Sequence, residues 1–98
     1  MKKIVIELTY YADIIEVPDF IEKDFDKYIK KFDKWAYDKS NRHKYWIIEN
    51  DKPISVEIGG ETIVYFLNTE ILVDCKEKAR VVEEEVKEYD ETLLKRYF

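Results

Sequence analysis

Cysteine and histidine occur once each in this 98-residue chain, and glycine and proline only twice each. The lone Cys75 excludes an intramolecular disulfide framework, and Cys75 with His43 supplies too few soft ligands for a zinc site. Gly59-Gly60 is an isolated doublet rather than a GxGxxG fingerprint or a GK[ST] phosphate loop, and reads as a turn. So little glycine and proline leaves no linker composition, and residues 1–98 are expected to form a single domain. The longest run without a charge, Thr62 to Thr69, has eight residues against the roughly 20 of a spanning helix, so no membrane segment is expected. The start, MKKIVIELTYY, has too short an apolar run and no small-residue cleavage site for secretion, which points to a cytoplasmic protein. Acidic pairs such as Asp24 with Asp26, or Asp90 with Glu91, lack the ordered spacing and central glycine of a calcium loop. No metal or other cofactor is expected.

What is abundant is apolar and charged surface in alternation, with 46% hydrophobic and 40% charged residues. Lys2–Tyr10 and Ala12–Val17 alternate at the period of strands, and Pro18 ends the second because it cannot donate to a ladder. Asp19 precedes Glu22 by three residues, the spacing of a capping box, and Ile21, Phe25, Tyr28, Phe32 and Trp35 then form one apolar stripe of a helix reaching Lys39. Tyr45–Glu49 and Ile54–Ile58 read as a second hairpin about a turn at Asn50-Asp51-Lys52-Pro53. Glu61–Val73 is ambiguous between strand and helix, with Val64, Leu67 and Ile71 favouring helix. Asp74 with Glu77 repeats the capping spacing, and Ala79, Val82, Val86, Tyr89, Leu93 and Tyr97 step by three or four, the pattern of a C-terminal helix. The expected fold is therefore α+β: an antiparallel sheet of about four strands from two hairpins, one long helix between them, and one or two C-terminal helices.

Two charged features are candidates for function. From Lys27 to Lys44 seven basic residues stand against Asp33 and Asp38, and Lys39, Arg42, Lys44, Tyr45 and Trp46 combine cations with rings able to stack on a base. Much of this has a structural cause, since cations near a helix C-terminus offset its dipole, and His43 is expected to help close the helix in the same way. A Cys–His nucleophilic pair would need His43 and Cys75 to meet in space, which nothing in the local sequence suggests. The second feature is Glu83, Glu84, Glu85, Glu88, Asp90 and Glu91, expected along one face of the C-terminal helix, where carboxylates one turn apart approach the spacing of phosphates on a nucleic-acid strand. A solvated helix face is the commoner explanation of such a run. Aromatic residues are numerous, and Tyr65, Phe66, Tyr97 and Phe98 are expected to leave an apolar patch for a homodimer.

The run VYFLNTEIL, then Asp74, then EKARVVEE resembles the end of small uncharacterised proteins carried by phages and prophages of AT-rich Gram-positive bacteria. The resemblance implies a helix over Glu61–Leu72 and a mobile-element origin, and implies no activity. Together these features lead to the expectation of a small acidic, non-enzymatic binding module. Its partner would be a basic, nucleic-acid-processing host protein, such as a CRISPR or other defence nuclease, inhibited by the acidic helix face. The alternatives are a nucleic-acid-binding protein using the Lys27–Lys44 face and a nucleotide binder at a subunit interface. The net charge of −5 argues against direct nucleic-acid binding.

Overall fold

In the computed structural model, which describes residues 1–98, two sheets and three helices follow in the order β1 (Lys2–Glu7), β2 (Ala12–Val17), α1 (Asp19–Lys23), α2 (Phe25–Tyr37), β3 (Trp46–Glu49), β4 (Lys52–Val56), α3 (Gly60–Phe66), β5 (Arg80–Val86) and β6 (Leu94–Tyr97). α3 runs on as a π-helical turn over Leu67–Ile71, so the ambiguous segment is helical. The main sheet has the order β5-β2-β1-β6, with β1 and β2 pairing antiparallel from Lys2↔Val17 to Glu7↔Ala12. β5 adds to β2 antiparallel and β6 adds to β1 parallel, so the sheet is mixed. β3 and β4 form a separate two-stranded hairpin whose tip residues, Asn50 and Asp51, have φ of 51° and 61°. Asn and Asp tolerate that left-handed geometry better than most residues.

The chain is α+β, but the expected arrangement is overturned. The C-terminal helix does not exist: its residues form β5, a crossing segment and β6. A β1–β2 hairpin alone would leave two open edges and is marginal in water, so pairing both edges outweighs the helix propensity of a glutamate-rich run. The second face of the sheet also needs cover. Val5, Ala12 and Ile14 are buried there beneath Val82, Val86, Tyr89 and Leu93, which lie on β5 and on the segment crossing from one edge to the other. Asp74 and Glu77 therefore cap nothing; the helical end before them is closed instead by the Lys78 ammonium, which donates to the carbonyls of Leu72 and Val73.

The helix over Asp19–Lys39 is likewise not continuous. It breaks at Asp24, whose φ of −119° and ψ of 36° leave the helical region, giving a short α1 and a 13-residue α2 that ends at Tyr37. No capping box forms, because Asp19 lies inside the helix after Pro18 and its carboxylate pairs with the N-terminal ammonium at 3.0 Å. The apolar stripe does pack inward: Ile21, Phe25, Tyr28, Ile29, Phe32 and Ala36 are buried against Ile4, Ile6, Ile15 and Val17 of the sheet. Phe32 is the hub, with Phe66 at 5.6 Å and Phe98 at 6.4 Å between ring centroids, both edge-on. Those two contacts take Phe66 and part of Phe98 out of the apolar patch expected at the C-terminus, while Tyr65 and Tyr97 remain exposed. No helix is long and apolar enough to cross a membrane.

Gly59-Gly60 is not a free turn but the start of α3. The carboxylate of Asp13, buried on β2, accepts the Gly60 N–H at 2.8 Å and, through its other oxygen, the Glu85 N–H at 3.0 Å. One side chain thus anchors a helix N-terminus and a bulge in β5, where Glu85 adopts φ 53°.

Candidate functional site

α2 ends with carbonyls that have no partner further along the helix, and the next loop turns back to supply them. Asp38 starts the reversal by accepting the Ser40 N–H at 3.0 Å and the Ser40 hydroxyl at 2.7 Å, bonds that hold its carboxyl below the usual range. Asn41 Nδ2 then donates to the Trp35 carbonyl at 2.9 Å. His43 Nε2 lies 2.8 Å from the Ala36 carbonyl, and the Tyr45 N–H donates to His43 Nδ1 at 3.2 Å. A carbonyl only accepts and a backbone N–H only donates, so the ring is the neutral tautomer with its proton on Nε2. His43 closes the helix as a hydrogen-bond donor, not as the expected cation, and neither ring nitrogen is left for proton transfer.

The same loop builds a stack of three rings. The imidazole of His43 lies 4.6 Å from Trp35 at 20° and 5.2 Å from Trp46 at 4°, and Trp46 Nε1 donates to the Asn41 carbonyl at 2.7 Å. Every polar atom of His43 and of the Trp46 indole is therefore committed to backbone, and both rings are fixed. Around this stack open two hollows. One, of about 270 Å³, lies between the loop and the hairpin and is lined by Lys39, Arg42, His43, Lys44, Trp46, Ile48 and Pro53. The other, of about 300 Å³, lies toward the π-helical turn, with Trp35, Asn41, Tyr65, Thr69 and Glu70, and shares Arg42 and His43 with the first.

The electrostatics of the first hollow are one-sided, because no carboxylate lines it. The ion pairs of the chain are Met1–Asp19, Arg80–Glu16, Lys95–Glu91 and Arg96–Asp26. None of the seven basic residues from Lys27 to Lys44 takes part in one. Lys39, Arg42 and Lys44 are exposed, and the Lys44 ammonium lies 5.3 Å from the rings of Tyr45 and Tyr65.

Of the basic and aromatic candidates, Lys39, Arg42, Lys44 and Trp46 meet in this hollow and Tyr45 does not. Tyr45 is buried and donates from its hydroxyl to Glu61 at 3.2 Å; burial first, and then the Glu61 charge, push its phenol up to about 12. It lines a third hollow of about 170 Å³ with Asp13, Glu57, Glu61, Glu84 and Glu85. The acidic candidates are dispersed by the loss of the helix. Glu83, Glu84 and Glu85 sit on the edge strand β5, and Glu88, Asp90 and Glu91 lie on the crossing segment, where Asp90 accepts from Thr92 and Glu91 pairs with Lys95 at 3.3 Å. An array with a helical repeat is absent.

Trp35, Asn41, Ile48 and Pro53 complete the site and were not singled out from sequence. Asn41 and His43 carried a signal, since polar side chains just beyond a helix end can reach back to its carbonyls; the approach of the hairpin carried none. No group of three or more His, Cys, Asp or Glu is arranged to hold a metal ion. Comparisons with family models, with curated proteins and with solved structures gave no match for this chain.

Proposed function

We propose that the chain is a non-enzymatic binding module whose contact surface is the cleft between the Lys39–Lys44 loop and the β3–β4 hairpin, and that its partner is anionic. The observation that supports this reading is the run of seven unpaired cations ending in a carboxylate-free hollow, in a chain with more acidic than basic residues. Cations left without partners on a rigid, partly apolar wall attract anions at little reorganisation cost. The wall is rigid because the rings of His43 and Trp46 are both hydrogen-bonded to backbone. The net charge bears little on the cleft, since no carboxylate lines it and fields are screened within about 8 Å at physiological salt.

A thermal-shift titration with inorganic polyphosphate at low salt tests the reading. Ligand at 100 times its dissociation constant contributes about 2.7 kcal/mol, enough to raise the midpoint by roughly 10–20 °C. Lys39→Glu with Arg42→Glu should remove the shift while leaving the melting temperature of the free protein within a few degrees, as both side chains are exposed. An unchanged shift in the double variant would sink the proposal.

A second reading is favoured by the third hollow, where Asp13, Glu57, Glu61, Glu84 and Glu85 converge beside Tyr11 and Tyr45. It keeps the basic host protein as partner, with strand-borne rather than helix-borne carboxylates, and a mobile-element origin would make a defence nuclease its natural target. Capture from host lysate that survives Lys39→Glu and Arg42→Glu but fails with Glu57→Lys and Glu84→Lys would favour it. A homodimer also belongs here, through the hairpin, whose Ile47, Ile48 and Ile54 are exposed beside free strand edges. Light scattering would then give twice the 11.9 kDa chain mass.

A further inference from the structure

We infer that the anion taken by the cleft is a nucleotide unit of a single strand, with its base stacked on Trp46 and its phosphate held by Arg42 and Lys39. This deepens the reading of the cleft as an anion site and rests on it. A site for phosphate alone needs cations and N–H donors. Here the cations face an indole, with Ile48 and Pro53 beside it, so the wall offers a ring surface together with charge. Trp46 is already the end of a stack, covered by His43 at nearly parallel planes. A base entering the hollow would extend Trp35–His43–Trp46 by a fourth ring, and fixed rings lose little freedom in receiving it.

The polar atoms of the platform point the same way. The Trp46 N–H is donated to Asn41, and both His43 nitrogens are bonded to backbone, so the two rings offer π-face rather than hydrogen-bonding edge. Recognition by stacking accepts any base, since each has a π-face, and predicts binding with weak sequence preference. The hollow of about 270 Å³ is small among ligand pockets and suits one ring with its phosphate rather than a large cofactor. The neighbouring hollow of about 300 Å³, which shares Arg42 and His43 as lining, gives a following nucleotide a place and favours a strand over a free nucleotide. Tyr65 is a second ring on that side, and Glu70 is its one carboxylate, which confines the phosphate to the Arg42 end.

The test is fluorescence anisotropy of a labelled oligothymidylate of about eight nucleotides at about 50 mM salt. Competitors are an abasic strand of equal length, thymidine monophosphate and inorganic polyphosphate. The oligothymidylate should bind at least about tenfold tighter than the abasic strand, and Trp46→Leu should erase that difference while leaving abasic binding unchanged. Trp46→Phe, which keeps a ring, should retain most of it, and circular dichroism of both variants should match the parent. Should Trp46→Leu fail to fold, the comparison of the two strands on the parent protein decides alone. Equal affinity for the two strands overturns the stacked base while leaving the anion site standing. Competition by the monophosphate as strong as by the oligothymidylate overturns the strand as source. No binding by any of the four, polyphosphate included, overturns the cleft itself.

Discussion

Asp13 joins three parts of the molecule through one carboxylate, and the glycines opposite it are unequal in consequence. A Cβ at Gly60 would lie 2.9 Å from the Asp13 Cβ and 3.2 Å from Ile15 Cγ2, so neither neighbour can give way without moving β2. A Cβ at Gly59 would meet only Asp13 Oδ2, at 3.2 Å. Gly60→Ala should therefore lower stability by about 1–3 kcal/mol, the usual range for overpacking, and Gly59→Ala by distinctly less, measured by urea denaturation. At the same scale, two phenols should titrate late. Tyr45 is pushed up to about 12 by burial and Glu61; Tyr89 reaches about 12 chiefly through its 2.6 Å hydrogen bond to Glu7. An unfolded chain releases these protons near 10, so their contribution to stability is complete below pH 10 and is lost as pH rises through about 12. Absorbance at 295 nm should show a late ionisation step that Tyr45→Phe and Tyr89→Phe each reduce. Asp13 was legible in sequence only as a polar residue interrupting the apolar ADIIEV, a pattern that invites a partner without naming it.

Among the elements, β5 departs furthest from its sequence pattern. Ala79, Val82, Val86 and Tyr89 fit a helical stripe, yet Val81 packs into the helix-covered core while Val82 and Val86 cover the opposite face. A spacing of four, as from Val82 to Val86, fits a strand's period of two as well as a helical turn, and the register shifts between Ala12 and Ile14 and between Ile14 and Ile15 break the alternation that would tell them apart. Periodicity within one segment cannot reveal that β1 and β2 have edges to fill. Because Glu85 holds φ at 53°, Glu85→Gly should raise stability by about 0.5–1 kcal/mol, whereas a β-branched Glu85→Val should lower it by about 1–2 kcal/mol. Thermal melts of the two variants should move in opposite directions. The site was more legible than the sheet. Lys39, Arg42, Lys44 and Trp46 are neighbours along the chain as well as in space, but Tyr45 and Trp46 are adjacent where β3 begins, and successive side chains of a strand point apart. Tyr45 and Trp46 accordingly serve different hollows, Trp46 the basic one and Tyr45 the acidic one, a separation missed when the two are read as one cluster.

At the scale of the molecule, 42 × 34 × 19 Å in extent, charge is sorted by place. Unpaired cations run along α2 to the loop, and carboxylates gather on β5 and around the third hollow. Such sorting steers a charged partner to one side, and which side is in use is the central question. The most direct test is a nitrogen–proton correlation spectrum of the labelled protein titrated with inorganic polyphosphate. Two tryptophans give two indole N–H signals, and Trp35 and Trp46 are told apart by substituting either one. With the cleft in use, the Trp46 indole and the backbone amides of Lys39, Arg42, Lys44 and Ile48 should shift together with one saturation curve, while amides from Glu83 to Glu91 stay in place. Shifts confined to the neighbourhood of cations outside Lys27–Lys44, such as Lys2, Lys76 or Lys87, or no shift at all, would contradict this.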